Sequence, residues 1–426
     1  MKVYFHTFGC KVNSFESAAM ANILKEHGCA AANSEADAEI VVVNSCTVTA
    51  NTDSKVRRYL AKVKRENPAV TTVLTGCMVE AARDKAALGA LADIVMGNAS
   101  RRDIFSVLDE YFSGGEKSIV SVKEQSREFE ALFAPELEGH TRAFMKIEDG
   151  CERYCSYCII PYARGRVRSM DIDEVTREAK TLAQNGYKEI VLSGINLSFY
   201  GKGTEYNLAD AVERIAAVDG IERIRLGSLE PDLLEEMLPR LSRVEKLCPQ
   251  FHLALQSGCD RTLRRMNRHY TAEGYRAVTE EIGALFKRPT FTTDVITGFP
   301  GETEEDFLES CEFVKSIGFL KVHVFPYSVR PGTAAASLPS QLTKAEKEAR
   351  ARTLIKQENE SRKRVIAGFV GRSVRVILEQ PNEDGLFCGY TDEYLPALVN
   401  APQNKTGDMV TAEAKKLSGE ALYIEQ

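Results

Sequence analysis

Six strand-like apolar runs, separated by helical stretches, are the feature that most constrains the fold of this chain. The runs lie at 143–147, 189–193, 221–227, 251–255, 291–296 and 320–325. Six strand–helix units within roughly 200 residues fit an open or partial (β/α) barrel of parallel strands. The first third also alternates, with strand candidates at 2–7, 40–43, 70–74 and 93–96 and helical patterns near 14–27, 53–66 and 79–91. This second alternation predicts an open parallel α/β sheet.

The remaining segments complete the predicted domain organisation. Residues 113–140 lack a clear period and contain Gly114, Gly115 and many charges, so we expect a linker there. A charged helical stretch runs from Gln341 to about Ala367, and the tail carries short β runs at 373–378, 385–390, 397–399, 409–414 and 421–424. Such a tail predicts a small all-β barrel. The predicted domains are 1–112, the linker 113–140, the barrel-like domain 141–366 and the all-β domain 367–426.

Length and composition place the chain among multidomain globular proteins. Its 426 residues exceed one ordinary domain, and its hydrophobic (44%) and charged (27%) fractions are ordinary for soluble proteins. No apolar run approaches the roughly 20 residues of a membrane span, and the N-terminus lacks the pattern of a signal peptide. We therefore expect a cytoplasmic protein without membrane association. In that reducing compartment its 11 cysteines are more often ligands or free thiols than disulfides.

One cysteine cluster follows the first predicted barrel strand, at Cys151, Cys155 and Cys158. Three thiolates at this spacing lie on one loop and can bind one metal centre, either zinc or a 4Fe-4S cluster. Structural zinc takes four ligands, and no fourth Cys or His follows closely. Three ligands would leave one iron of a cluster open for a substrate.

A second set of cysteines is spread over the N-terminal sheet. Cys10, Cys46 and Cys77 each come shortly after a predicted strand. Ligands of an open parallel sheet bind outside the carboxyl ends of its strands, so we expect these three thiols to converge in a second three-thiolate site. The other cysteines are interpreted as packing residues, namely Cys29, Cys248, Cys259, Cys311 and Cys388.

Several longer motifs resemble the radical SAM (S-adenosylmethionine) methylthiotransferase family over nearly the whole chain. They are TFGCKVNS, VVVNSCTVT, VLTGCMVE, CERYCSYCIIPYARGRVRS, LSGINLSFYG, LGSLEP, HLALQSGCDRTLRRMNRHYT, DVITGFPGET and VFPYSVRPGTAAA. Within the family, TFGCKVN resembles the branch that thiomethylates N-threonylcarbamoyladenosine beside the tRNA anticodon. Ser14 and Phe15 depart from the Gln-Tyr pair that is more usual in that branch.

Three alternatives to that branch remain. The isopentenyladenosine branch reads more like TYGCQMN, and the branch that modifies a ribosomal aspartate reads more like TLGCPKN. A non-catalytic iron–sulfur protein that binds RNA or passes electrons is the remoter alternative. The open position on both predicted clusters argues against that last reading, because electron carriers usually have four protein ligands per cluster.

The resemblance implies two 4Fe-4S clusters and SAM as cofactors. Cys151, Cys155 and Cys158 would hold the cluster that binds SAM and generates a deoxyadenosyl radical. Cys10, Cys46 and Cys77 would hold an auxiliary cluster that carries the sulfur to be methylated and transferred to carbon two of the adenine. The cofactors supply the difficult chemistry, and the protein supplies their placement and the exclusion of water.

The resemblance also implies SAM contacts at the carboxyl ends of the barrel strands. These are Tyr157, Gly194, Asn196, Ser228, Glu230, Gln256, Ile296 and Gly298. An alternative interpretation of Asn196 is a plain loop residue. An alternative interpretation of Ser228 and Glu230 is a buried polar pair that caps the next helix. Beyond the clusters no catalytic residue is assigned.

Basic residues mark where RNA would lie, although the net charge is −6 and any affinity must come from local patches. The predicted contacts are Arg164, Arg166, Arg264, Arg265, Arg268, Lys363, Arg364 and Arg372. The basic run at 344–375, which also reads as a solvated helix face, leads into a tail resembling a TRAM domain, a small RNA-binding barrel.

The partners implied by the resemblance are a tRNA anticodon stem-loop, whose adenine must be splayed out, and a reductant of flavodoxin or ferredoxin type. A monomer is expected. A fragment ending near Ala367 is expected to retain both clusters, because every predicted ligand lies upstream.

Overall fold

The computed structural model describes residues 1–47, 50–114, 119–122, 128–134 and 141–426. The strands β1 to β20 are, in chain order, Lys2–Thr7, Ala30–Ala31, Ile40–Ser45, Thr71–Gly76, Ile94–Met96, Ile119–Ser121, Ala143–Lys146, Glu148–Asp149, Arg168–Ser169, Glu189–Ser193, Arg223–Leu226, Ser228–Leu229, Gln250–Leu253, Thr290–Thr297, Lys321–Pro326, Ser373–Pro381, Phe387–Thr391, Pro396–Asn400, Met409–Ser418 and Ala421–Glu425. The helices α1 to α12 are Lys11–Glu26, Ala50–Glu66, Cys77–Ala81, Ile104–Gly114, Ile160–Arg164, Ile172–Gln184, Leu208–Ala216, Leu238–Leu241, Asp260–Arg265, Ala272–Leu285, Glu304–Ile317 and Lys344–Ala367.

The N-terminal strands form one parallel sheet in the order β2-β1-β3-β4-β5-β6. Every residue of β3 and β4 is buried, as expected for central strands of a parallel sheet covered on both faces. The predicted α/β alternation is therefore confirmed. The helix predicted near 79–91 is wrong, because α3 ends at Ala81 and a polar stretch, 82–85, separates it from a short 3-10 turn at Ala86–Ala90.

The segment predicted as a linker contributes to this sheet. Strand β6 pairs with β5 in parallel. Leu132 and Ala134 pack against Phe15 and Ala19 of α1. The rest of the linker prediction, at 115–118, 123–127 and 135–140, lies outside the described residues.

The central strands form a curved, open parallel sheet. Strand β10 lies between β7 and β11, and β12 begins the second sheet, in the order β12-β13-β14-β15. Only Gly227 separates β11 from β12, so the two sheets join into six successive strand positions. The predicted partial (β/α) barrel is confirmed.

Apolar side chains on one face of these strands pack under the surrounding helices. Phe251 and Leu253 of β13, Val295 of β14 and Val322 of β15 belong to one large core together with residues of α6, α7, α10 and α11. Because side chains alternate across a strand, the intervening residues point to the inside of the barrel.

The C-terminal strands close into a five-stranded barrel in the order β16-β17-β18-β20-β19. The helix that precedes it, α12, starts at Thr343, whose side chain accepts from Glu346 N–H while the Glu346 carboxylate accepts from Thr343 N–H. This reciprocal capping box satisfies two amides of the first turn. Both the charged helix and the all-β tail agree with the sequence prediction.

The C-terminal barrel closes the amino end of the central barrel. Arg223 and Arg225 of β11 are buried and donate to Glu189 at 2.5 and 3.0 Å. Arg225 also donates to the carbonyl oxygens of Thr391 (3.1 Å) and Asp392 (3.0 Å). Glu189 and Arg223 are the first residues of their strands, so these contacts lie at the amino ends of the strands.

Aromatic residues complete this closure, which we call the barrel floor (Tyr390–Tyr394). Tyr390 and Tyr394 stack with ring centroids 4.5 Å apart. The Arg142 guanidinium lies 5.0 Å from the Tyr390 ring, and that of Arg225 lies 4.7 Å from the Tyr394 ring. Cationic groups over aromatic faces stabilise such a contact when both are withdrawn from water.

Within the described ranges, no helix combines the length and the apolar character needed to cross a membrane. The cysteines interpreted as packing residues agree with that interpretation, since Cys29, Cys248, Cys259 and Cys311 are buried and Cys388 is half-buried.

Candidate active site

Cys10, Cys46 and Cys77 lie at the carboxyl ends of three adjacent strands. Strand β3 pairs with β1 up to Thr7–Asn44 and with β4 up to Ser45–Gly76, so the three ends are level. Cys10 is the N-cap residue of α1, and Cys77 is the first residue of α3. A Cβ on Gly9 would lie 2.9 Å from the Cys46 Cβ, which shows how closely the β1 turn approaches Cys46. The predicted convergence of the three cysteines is confirmed.

The turns that carry these cysteines are fixed by a glycine and two buried asparagines. Gly76 has φ +98°, and a Cβ there would lie 2.3 Å from the Ser45 carbonyl oxygen, so only glycine fits. Asn13 Nδ2 donates to the Ser45 carbonyl oxygen (3.0 Å) and to Asn44 Oδ1 (3.3 Å). The Cys10 thiol donates to Asn13 Oδ1 at 3.4 Å. Sequence reasoning missed both asparagines, although each lies inside a family motif.

Cys151, Cys155 and Cys158 share the loop that follows β8. Gly150 has φ +88°, and a Cβ there would lie 2.0 Å from the Arg166 carbonyl oxygen. Cys151 N–H donates to the Gly165 carbonyl oxygen at 3.1 Å, and Cys158 N–H donates to the Cys155 carbonyl oxygen at 2.9 Å. The loop therefore folds back on itself and brings its three thiols to one side of the barrel.

The spacing of the thiols is wider than a single zinc ion requires. Tetrahedral zinc with Zn–S bonds of about 2.3 Å places its sulfurs about 3.8 Å apart. In neither triad do all three sulfurs lie within 4.8 Å of one another, because the groups of that kind among the described residues contain none of the six cysteines. A four-iron cluster is wider and takes one thiolate per iron, so both triads fit such a cluster better than a single ion.

Burial raises the pKa of two of these thiols, Cys77 to about 12 and Cys151 to about 12. Thiolates are the ligands of iron, so cluster assembly at these positions would release protons.

The residues predicted to contact SAM come together at the carboxyl ends of the barrel strands. Asn196 is buried, donates its N–H to Glu148 Oε2 (2.8 Å) and its amide to Glu230 Oε2 (3.4 Å). Glu230 makes no capping hydrogen bond and instead binds Arg153 and Arg268. The capping alternative is therefore wrong for Glu230. Gly194 and Ser228 line the cavity described below.

The other predicted SAM residues surround the ends of β13 and β14. Gln256 has φ +65°, donates its N–H to the Asp294 carbonyl oxygen (2.8 Å) and accepts from Ile296 N–H (2.9 Å). Gly298 N–H donates to Glu302 Oε2 at 2.7 Å. The Tyr157 ring meets Phe299 edge-on, with centroids 6.4 Å apart. Their contact with SAM stays a prediction.

Sequence reasoning missed Glu148 at this site and assigned Arg268 to RNA instead. Glu148 is fully buried, its Oε1 has no partner among the described residues, and burial raises its pKa well above the usual carboxyl range. A Cβ on Gly194 would lie 2.6 Å from Glu148 Oε2. Arg268 donates to Cys155 Sγ at 3.1 Å. The only sequence signal for Glu148 was its place just before the cysteine loop.

The prediction that Arg164 and Arg268 contact RNA is wrong. Arg164 is 1% exposed and pairs with Glu16 (2.8 Å) and Asp149 (3.0 Å). The Arg268 side chain is 4% exposed and pairs with Glu230. A basic residue in a sequence carries no sign of burial, and here both guanidinium groups are committed to carboxylates. Arg265 is half-buried on Asp306, whereas the exposed members of the predicted set are Arg166, Arg264, Lys363, Arg364 and Arg372.

Buried charges connect the two cysteine sites. Glu16 of α1 pairs with Arg101, with Lys146 (2.9 Å) and with Arg164 (2.8 Å), the last just after the cysteine loop. Burial alone would raise the pKa of Glu16, but these three cations overcome it and hold the pKa well below the usual range. The helix that begins at Cys10 is thereby held against the loop that contains Cys151.

Replacement of Glu16 by Ala should destabilise the protein by about 3–5 kcal/mol, because three buried cations would lose the carboxylate that they share and keep only Asp149 and the more distant Glu130. Anaerobic urea unfolding followed by circular dichroism measures the loss, and the exposed Glu26→Ala on the same helix is the matched control. Because the folded pKa of Glu16 is depressed, its stabilisation is complete above the unfolded pKa of about 4.3 and declines as the pH falls below it. Equal losses for both variants would contradict this role.

A cavity of about 900 Å³ lies inside the central barrel. Cys10 and Lys11 line it from the N-terminal domain, and Gly194 and Ser228 line it at the carboxyl ends of the strands. Tyr390 and Tyr394 of the barrel floor line its other end. We call this cavity the chamber. Cys10 of the first cysteine site and two of the predicted SAM positions, Gly194 and Ser228, therefore border one half-open space.

Comparison with known proteins shows the family of the chain. Residues 145–314 match the model of the Radical SAM superfamily, and residues 2–97 match that of the Uncharacterized protein family UPF0004. A Bacillus subtilis protein, "Threonylcarbamoyladenosine tRNA methylthiotransferase MtaB", is 35% identical over 97% of this chain and 94% of its own. The chain belongs to the radical SAM methylthiotransferase family.

Other comparisons give a relative with a different printed activity and a solved structure with a similar fold. A Clostridium novyi relative, "tRNA-2-methylthio-N(6)-dimethylallyladenosine synthase", is 33% identical over 99% of this chain and 95% of its own. The solved structure of the radical SAM methyltransferase TsrM from Kitasatospora setae superposes with a TM-score of 0.58, at 15% identity, over 79% of this chain and 77% of TsrM. That likeness shows a shared fold. As a radical SAM methylthiotransferase the chain uses SAM and 4Fe-4S clusters, and the binding of two clusters by its two cysteine triads stays a prediction.

Proposed function

We propose that the chain inserts a methylthio group at carbon two of N-threonylcarbamoyladenosine beside the tRNA anticodon. The observation that carries the proposal is the shared chamber, which is lined by Cys10 of the auxiliary cysteine site and by the predicted SAM positions Gly194 and Ser228. The printed activity of the Bacillus subtilis relative and the TFGCKVN motif support the threonylcarbamoyl branch. The activity printed for the Clostridium novyi relative, on dimethylallyladenosine, is the alternative.

The two cysteine triads and Arg268 would have separate roles in the reaction. The bound cofactors supply radical chemistry from SAM at Cys151, Cys155 and Cys158 and a transferable sulfur at Cys10, Cys46 and Cys77. Arg268 donates to Cys155 Sγ and stabilises negative charge on that sulfur.

Two further features would shape the reaction site, namely the Glu16 ion pairs and the barrel floor. The Glu16 ion pairs hold the two cysteine sites at a fixed separation. The barrel floor lines the chamber at the amino ends of the strands.

The C-terminal barrel and the basic residues beside it concern the binding of the tRNA. The substrate is a tRNA, and we infer that the C-terminal barrel acts as a TRAM domain that binds its anticodon stem-loop. Exposed Lys363, Arg364 and Arg372 lie where α12 enters this barrel, and neutralising phosphates with such residues is the usual source of RNA affinity. We keep the domain boundaries 1–112, 141–366 and 367–426, a monomeric cytoplasmic enzyme, and a flavodoxin or ferredoxin-type reductant as parts of this proposal.

Anaerobic turnover on three tRNA preparations tests the proposed function. The reconstituted enzyme, SAM and dithionite are incubated with tRNA that carries threonylcarbamoyladenosine, dimethylallyladenosine or unmodified adenosine, and the nucleosides are analysed by mass spectrometry. We expect a methylthio product from the first tRNA alone. Product from the second alone would support the alternative branch. Absence of both product and deoxyadenosine would mark a non-catalytic iron–sulfur protein.

A further inference from the structure

The inner faces of β13, β14 and β15 are unusually polar. Their chamber-lining residues are Gln250, His252, Thr292, Asp294, Lys321, His323 and Phe325. Barrel interiors of this kind are normally filled by bulky branched apolar side chains. Except for Phe325, these strands instead present hydrogen-bonding groups to the half-open chamber, and a site for a polar ligand requires such groups.

Three of these side chains form a cluster, His252, Asp294 and His323. One nitrogen of each imidazole and one Asp294 oxygen lie within 4.8 Å of one another. His252 Nε2 lies 3.5 Å from Asp294 Oδ2, and Asp294 is the register partner of His323 on the next strand. The cluster is half open to the chamber, with side-chain exposures of 17% for His252 and 33% for Asp294.

The orientation of the His252 ring is fixed by a hydrogen bond to Thr292. Its Nδ1 lies 3.0 Å from Thr292 Oγ1, which also accepts a hydrogen bond from Gln250 Nε2 at 3.1 Å. His252 is therefore held in place while the Asp294 carboxylate and the His323 imidazole face the chamber. Lys321, the register partner of Thr292, adds a positive charge beside them.

We propose that His252, Asp294 and His323 form the subsite for a polar, acidic substituent on the target adenine. This inference rests on the proposed function. A threonylcarbamoyl group carries a carboxylate, a hydroxyl and N–H donors. His323 and Lys321 suit the carboxylate, and Asp294 accepts from the hydroxyl or an N–H. A dimethylallyl group offers no partner, so its binding would leave these groups desolvated and unpaired.

The same cluster has the ligand types of a divalent metal site, two imidazoles and a carboxylate. Lys321 on the neighbouring inward position pairs with Glu358 at 3.4 Å, so its charge does not decide between a metal and a substrate group. The position of the cluster in the wall of the chamber favours a substrate group. Metal binding is therefore an outcome that the experiment must distinguish.

Turnover kinetics of His323→Leu test the subsite. We expect kcat/KM for tRNA with threonylcarbamoyladenosine to fall about ten-fold or more, mainly through KM, as for loss of a hydrogen bond to a charged group. His27→Leu, which changes an exposed histidine outside the chamber, is the matched control. Equal iron contents and melting curves verify that the variants fold.

Binding of free nucleosides separates this inference from the proposed function. Equilibrium dialysis of the reconstituted enzyme should show tighter binding of N-threonylcarbamoyladenosine than of adenosine, and His323→Leu and Asp294→Asn should each remove the preference. Absence of product with the preference retained overturns the proposed function alone. Absence of a preference, or unchanged kinetics in an active His323→Leu enzyme, overturns the subsite. Stoichiometric zinc or manganese that disappears in His323→Leu would also overturn it, by assigning the cluster to a metal.

Discussion

Replacing Cys151, Cys155 and Cys158 together by Ala should abolish SAM cleavage and lower the iron content from about eight to about four atoms per chain. These thiols share one loop whose course is fixed by Gly150, by Cys151 N–H and by Cys158 N–H, so the other cluster site is not disturbed by their removal. Deoxyadenosine measured by chromatography after anaerobic incubation with SAM and dithionite reports cleavage, and a colorimetric assay reports iron.

Cys388→Ala is the control for this triple variant, because Cys388 is a half-buried cysteine of the C-terminal barrel that belongs to neither triad. It should retain both the iron and the cleavage of the unchanged protein. Continued deoxyadenosine formation by the triple variant would show that SAM is activated elsewhere.

The second large effect is expected for the triple replacement of Cys10, Cys46 and Cys77 by Ala. Deoxyadenosine should still form, since the barrel loop and its contacts are intact, but no methylthio nucleoside should appear. The iron content should again fall to about four atoms per chain. Mass spectrometry of tRNA nucleosides and deoxyadenosine assays on the same reaction separate the two half-reactions.

Cys29→Ala serves as the matched control for the N-terminal sheet, because Cys29 lies in the core beside β2 and outside the cysteine site. Methylthio product from the triple variant would mean that these three cysteines have a structural role only. Loss of deoxyadenosine as well would show that the two cysteine sites depend on each other for assembly.

The sequence predicted those parts of the molecule that depend on local pattern. Strand periods located the barrel and the sheet, and a parallel sheet brings the ends of β1, β3 and β4 together wherever the intervening helices go. The helix near 79–91 failed because its helix-forming composition hides the polar break after Ala81.

Contacts between distant segments could not be predicted in the same way. Glu16 and Lys146 are 130 residues apart, and nothing local distinguishes Glu16 from the exposed Glu26 on the same helix. Arg164 and Arg268 look like surface cations until their carboxylate partners are known. The polar inner wall at His252, Asp294 and His323 needs the register of three strands, which the sequence alone does not supply.

Because the barrel floor lines the chamber, the C-terminal domain is part of the chamber wall. A chain truncated near Ala367 keeps every predicted cluster ligand, yet it loses the carbonyl oxygens of Thr391 and Asp392 that satisfy Arg225. It also loses Tyr390 and Tyr394 from the lining of the chamber. The expectation that such a fragment retains both clusters stays a prediction. Exchange of this domain between relatives would have to carry the floor and the arginines of β11 together, so the two regions form one unit of inheritance.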